Sequence, residues 1–175
     1  DGQIVLDAKL FHEGHKPAVD VGTSVSRVGG KTQATALRAA AETLRLDYAQ
    51  FLELESFTRF GGMPDTRVRR QLTRGARIRA ILNQPQHTAL PLADQVALII
   101  AVQSGWLDSL PLTAIPALRK ALHPALERAA PNAVSHIEKT GKLDGPNRQI
   151  LHDAVQRLIQ SLAIVLEKPA GTHES

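Results

Sequence analysis

The residues best placed to do chemistry lie at positions 24–32, which read Ser-Val-Ser-Arg-Val-Gly-Gly-Lys-Thr. The close, Gly30-Lys31-Thr32, is that of a phosphate-binding loop, whose glycines let backbone N–H groups wrap around phosphate oxygens. Such a loop needs its first glycine at position 25, which is Val25, and Gly22 lies three residues too early. A valine resists the positive φ that glycine tolerates, so the phosphate-loop reading fails on spacing. Arg27 then needs another account, and for an isolated arginine the ordinary one is exposure or a salt bridge. Ser24 and Ser26 have no histidine and acid partners that would make a hydrolytic triad. His12 and His15 are three apart in a loop-like stretch without a third ligand, which does not support a metal site.

A second group is basic. Residues 61–90 hold six arginines against one acid, Asp65, a local charge of +5 that leaves −1 for the rest of a chain whose formal net charge is +4. Arg67, Arg70, Arg74 and Arg77 recur at steps of three, four and three, which puts them on one helical face. That face could meet nucleic-acid phosphates, acids on a partner, or solvent.

The elements that must position these groups follow from periodicity. Residues 2–6 and 18–28 are β-prone, with loop signals at Gly14 and Pro17 between them. From Thr32 the pattern is helical. Leu37, Ala41, Leu44, Tyr48 and Phe51 form one stripe, which predicts a long helix to about Arg59, ended by residues 60–64. Further helices are predicted at about 65–83, 92–107 and 113–130, with a kink at Pro124, then a short segment near 132–140 and a last helix after the turn at 141–146. The helix at 65–83 stops before Gln84-Pro85, because the residue before proline is pushed out of the α region. The expected fold is mainly α: a bundle of five to six helices over 32–167, preceded at 1–31 by two short strands and followed by a flexible tail at 168–175.

Composition agrees. Aromatic residues are only 3% of the chain, so the core must be Leu, Ile, Val and Ala, which suits helices packed on helices. The absence of cysteine excludes disulfides, thiolate zinc and cysteine nucleophiles. No apolar run is long enough to span a bilayer. Two lone strands cannot form a sheet core, and the chain starts at Asp1, so it reads as an internal piece of a longer protein.

Four groups of residues carry a family resemblance: Gly2-Gln3-Ile4, Ser24-Val25-Ser26-Arg27-Val28-Gly29-Gly30, Thr43-Leu44-Arg45-Leu46-Asp47 followed by Ala49-Gln50, and Gln84-Pro85-Gln86. In these the chain resembles the alpha subunits of F-type ATP synthases from Asp1 to about Leu166. The resemblance implies the end of a RecA-like nucleotide-binding domain and the whole C-terminal helical domain. It implies that Arg27, supported by Ser26, reaches into the neighbouring beta subunit's catalytic site as an arginine finger. It also implies that Lys16, Pro17, Gln84 and Gln86 line the adenine pocket of a nucleotide that is not hydrolysed, with Lys16 standing where relatives usually have arginine. The implied cofactor is ATP or ADP with Mg2+ in the full-length subunit, none of it expected on this piece alone, and no metal is assigned to residues of this chain. The implied partners are beta subunits in an alternating hexamer, the central-stalk gamma subunit and the peripheral-stalk delta subunit, with no membrane insertion and no nucleic acid. The implied place is the cytoplasmic face of a bacterial inner membrane. By itself the piece is expected to be inactive. Two other readings stay open: a related secretion-type or flagellar ATPase subunit, and a nucleic-acid-binding module using the arginine face.

Overall fold

The computed structural model describes residues 2–61 and 63–167. The chain opens with β1 (Gly2–Gln3), α1 (Ala8–His12) and β2 (Val25–Ser26). The strands pair antiparallel, with Gly2 opposite Ser26 and Gln3 opposite Val25, and an isolated bridge joins Leu6 to Val19. The two β-prone runs therefore find each other. The segment between them is not the plain loop expected, because Asp7 caps α1 by accepting the Leu10 N–H at 2.9 Å.

The helical part continues as α2 (Gly29–Thr32), α3 (Thr35–Ala40) and α4 (Leu44–Arg59). One long helix from Thr32 to about Arg59 was expected here, and the chain divides that stretch into α3 and α4, with α2 just ahead of it. The reason is tertiary: α3 packs on the central helix and donates its Ala36 N–H to the Gly141 carbonyl at 2.9 Å, while α4 packs along the helix that follows it. The apolar stripe survives the breaks, since Leu37, Ala41 and Leu44 are half-buried and Tyr48 and Phe51 buried. Periodicity here reports the buried face, not the continuity of backbone hydrogen bonds.

Next come α5 (Thr66–Leu82), capped by the Asp65 carboxylate on the Val68 N–H at 2.8 Å, and α6 (Leu92–Gln103). A 3₁₀ turn (Leu112–Ala114) leads into α7 (Ile115–Ala129), followed by α8 (Pro131–Thr140) and α9 (Gly145–Glu167). Helix α6 is the axis of the bundle. It is buried almost continuously from Ala93 to Val102 and contacts α3, α5, α7, α8 and α9, as a helix apolar on all sides must. Trp106, expected within this helix, lies beyond its end at Gln103. Helix α7 runs through Pro124 as one element and turns Leu118, Leu122 and Leu126 into the core. The tail expected at 168–175 lies outside the described residues.

At the head of α6 a polar pair interrupts the apolar core. Asp94 is 1% exposed, and its Oδ1 lies 3.0 Å from His123 Nδ1 on α7. Glu127 Oε1 stands 3.5 Å from the other ring nitrogen, and Glu138 on α8 accepts the neighbouring Ala93 N–H at 2.8 Å. The hydrogen bond to Asp94 raises the His123 pKa, with Glu127 and Glu138 adding to it, and burial raises that of Asp94. An imidazole whose folded pKa lies above 6.5 binds its proton more tightly in the folded chain. Its stabilisation is full below 6.5 and is lost as pH rises through the raised value. Asp94 acts in the same sense at lower pH. Urea unfolding should therefore show a fall in stability as pH rises above 6.5 that is markedly smaller in His123→Gln. Equal slopes in the two proteins would mean that the pair does not titrate with folding.

Candidate functional site

Arg27 sits on a built turn. Strand β2 ends at Ser26, whose hydroxyl accepts the Gly29 N–H at 2.9 Å and folds the backbone back into α2. A Cβ on Gly29 would lie 2.6 Å from that hydroxyl, so only glycine lets the turn close. Ser24 secures the other end of the strand: its hydroxyl accepts the Val5 N–H at 3.0 Å, and Arg45 donates to its carbonyl at 3.4 Å. Between these fixed points Arg27 is exposed at the surface. The arginine is thus carried on a short loop anchored on both sides.

The four residues assigned to an adenine pocket converge on one open cleft of about 1120 Å³, lined among others by Lys16, Pro17, Gln84 and Gln86. Two hydrogen bonds draw its walls together. The Lys16 N–H donates to Asn83 Oδ1 at 3.1 Å, and the Gln84 N–H donates to the Lys16 carbonyl at 2.7 Å. Arg119 on α7 supports them from behind by donating to the Ile81 and Asn83 carbonyls. Pro85 accepts the Thr88 N–H at 3.3 Å, closing a turn in which His87 takes a φ of 59° and Gln86 stays exposed. Ser26 and Arg27 do not line this cleft; Ser26 borders a separate hollow of about 500 Å³ beside Arg45. The structure thus brings together the pocket residues and keeps the arginine apart from them.

The cleft's chemistry fits an adenine base. Gln84 spends its amide N–H on the Thr88 carbonyl, which leaves its side-chain oxygen as the acceptor that an exocyclic amine requires. Among the described residues, no acid lines the cleft. Lys16 holds its ammonium 5.6 Å from the centre of the Phe11 ring, so the lysine at this position is placed by an aromatic neighbour. Sequence reasoning missed Phe11, Asn83 and Arg119. Phe11 was hidden in a stretch read as loop, where the only signal was Asp7 before an apolar pair. Nothing local marks Asn83 or Arg119, because their partners are distant in sequence.

Beneath the cleft, α4 and α5 are tied by Arg79, which grips the Glu55 carboxylate at 2.8 and 2.7 Å. That bond holds the Glu55 carboxyl below its ordinary range and raises the Arg79 pKa. His15, on the loop above, is pushed down by burial and by the nearby Arg79 charge. Of the four arginines on the face considered for nucleic acid, Arg67 and Arg70 are exposed, while Arg74 and Arg77 are engaged inside the fold. Arg74 pairs with Asp47 at 3.1 Å, and Arg77 donates to the carbonyls of Leu107, Asp108 and Leu110 at 2.8–3.0 Å. Among the described residues, no group of three or more His, Asp or Glu side chains could hold a metal ion, and no helix is long and apolar enough to cross a membrane.

Comparison with known proteins meets this geometry. The family model for the ATP synthase alpha/beta chain, C terminal domain, matches residues 33–158. The chain belongs to the ATP synthase alpha/beta family. It is 50% identical over 163 residues to ATP synthase subunit alpha 3 of Paraburkholderia xenovorans, covering 93% of this chain and 31% of that one. It is 52% identical over 149 residues to ATP synthase subunit alpha 2 of Gluconobacter oxydans, covering 85% and 29%. With ATP synthase subunit alpha 2 of Burkholderia thailandensis the figure is 58% over 132 residues, covering 75% and 24%. The chain spans less than a third of the length of these relatives. Within the ATP synthase family it is of the alpha type, and the helical bundle from α3 into α9 is the family's C-terminal domain.

Proposed function

We propose that this chain is the C-terminal part of the regulatory, non-catalytic nucleotide-binding alpha subunit of a rotary ATP synthase. The subunit alternates with beta subunits around a gamma stalk, under a peripheral stalk with its delta subunit, at the cytoplasmic face of a bacterial inner membrane. Its complex couples ATP synthesis and hydrolysis to ion transport. The observation that carries the reading is the convergence of Lys16, Pro17, Gln84 and Gln86 on one cleft that no described acid lines, in a chain whose Arg27 stands exposed on a separate anchored turn.

The two sites have different tasks. The cleft residues would hold the base of ATP or ADP: Gln84 and Gln86 hydrogen-bond its edge, while Pro17 and Phe11 give apolar surface. Bound Mg2+ would neutralise the phosphate charge of that nucleotide, and none of the cleft residues is a ligand for it. Arg27 would act across the subunit boundary. Its planar, permanently charged guanidinium can bridge the equatorial phosphoryl oxygens, where negative charge develops during transfer, from outside the loop that binds the nucleotide.

The decisive test is the turnover of assembled complex carrying Arg27→Lys. The cleft has its own test. Gln84→Ala should lower retention of adenine nucleotide at the non-catalytic sites by about fivefold, the worth of roughly one hydrogen bond, with assembly intact. Unchanged nucleotide content after gel filtration would remove the adenine from this cleft.

A further inference from the structure

A second cavity, of about 620 Å³, shares Lys16, Gln84, Pro85 and Thr88 with the nucleotide cleft but opens toward α7. Its α7 side is formed by Leu112, Ile115 and Pro116, with Arg119 and Lys120 one turn further on. The proposed function gives this cavity no task. Its size lies within the range of pockets that enclose small organic ligands.

Three features limit the occupant. Leu112 is left 46% exposed, so apolar surface at the cavity is uncovered in this chain. Three cations, Lys16, Arg119 and Lys120, line the cavity, and among the described residues no acid does. Arg119 is half-buried, and burial lowers its pKa. One of its terminal nitrogens is committed to the Ile81 and Asn83 carbonyls, while no described residue accepts from its Nε or its other terminal nitrogen. A partly desolvated guanidinium with spare donors favours a carboxylate. Inorganic phosphate would leave the apolar wall uncovered, and a neutral hydrocarbon would leave three like charges uncompensated.

We propose that this cavity binds an amphipathic organic monocarboxylate, its carboxylate held by Arg119 and Lys120 and its apolar body laid on Leu112, Ile115 and Pro116. The cavity shares Lys16, Gln84, Pro85 and Thr88 with the nucleotide cleft, and Arg119 braces both, but Leu112 and Lys120 line this cavity alone, so substitutions there test it apart from the nucleotide reading.

The test is calorimetric titration of the full chain with octanoate, with octanol as the uncharged probe. Saturable binding at one site is expected, with octanol at least about tenfold weaker. Lys120→Glu should weaken octanoate by about tenfold by reversing a charge at the site, and Leu112→Asp should do the same by placing an acid on the apolar wall. Both side chains are exposed, so circular dichroism and thermal midpoint should stay at wild-type values. Octanol binding as tightly as octanoate, non-saturating uptake, or full affinity in both variants would each overturn the proposal.

Discussion

Replacing Arg27 by lysine in the assembled complex should lower steady-state ATP hydrolysis by at least about two orders of magnitude while nucleotide binding at the catalytic sites is largely retained. Arginine fingers contribute roughly 10³–10⁵ in rate because their charge meets oxygens that become more negative only in the transition state. The loss should therefore fall on kcat, with much less change in affinity. Lysine keeps the charge and loses the fork, so the substitution isolates geometry from net electrostatics. The site favours a clean result. Arg27 is exposed, and the turn beneath it is fixed by Ser26 and Gly29, neither of which the substitution touches. Ser26→Ala provides the companion measurement: it removes the bond to the Gly29 N–H and should reduce turnover less, since it loosens the base and keeps the guanidinium. Near-normal turnover of a correctly assembled Arg27→Lys complex would leave a likeness of fold without the trans-acting arginine.

How far the sequence could be read varies with the range of the interactions concerned. Helices α5, α6, α7 and α9 were legible because each carries its own run or stripe of apolar residues and its own stop, such as the Gln84-Pro85 step after α5, while α8 was visible only as a short segment. The breaks before and after α3 were not, since positions 41–44, Ala-Glu-Thr-Leu, are all acceptable in a helix and the breaks are imposed by packing on α6. Arg27 stood out through the motif around it. The pocket residues drew attention only through a family resemblance, and the physical reason is distance: the bond from Lys16 to Asn83 spans 67 positions. The arginines of α5 were legible only in part: their spacing suggested one basic face, and Arg67 and Arg70 are exposed on it, but Arg74 and Arg77 point to partners 27 to 33 residues away within the same fold.

The stability of the bundle should turn most sharply on Gly75, where α5 crosses α4 without room for a single methyl group. A Cβ at this position would lie 2.0 Å from Phe51 Cγ and 2.3 Å from Phe51 Cβ. Contact with the far end of a flexible side chain could be relieved by rotation, but the Phe51 Cβ moves only with its helix. The ring is also confined, being 3% exposed, under the Arg79 guanidinium at 4.6 Å and against Tyr48 at 5.8 Å. Two effects oppose each other in Gly75→Ala. Alanine favours the helix by about 1 kcal/mol over glycine. Forcing α4 and α5 apart costs about 3 kcal/mol, the upper end of the overpacking range because the Phe51 Cβ cannot rotate away, and also strains the Arg79–Glu55 bridge between them. The clash wins, for a net loss of about 2 kcal/mol or more and a thermal midpoint lower by roughly 4–8 °C in a chain of this size. Phe51→Ala removes the ring atoms from the contact, so Gly75→Ala should cost at least about 1 kcal/mol less in that background than in the wild type. Additive losses around this cycle, or a midpoint raised by Gly75→Ala alone, would show that the helices can separate freely and that the glycine is not what sets their approach.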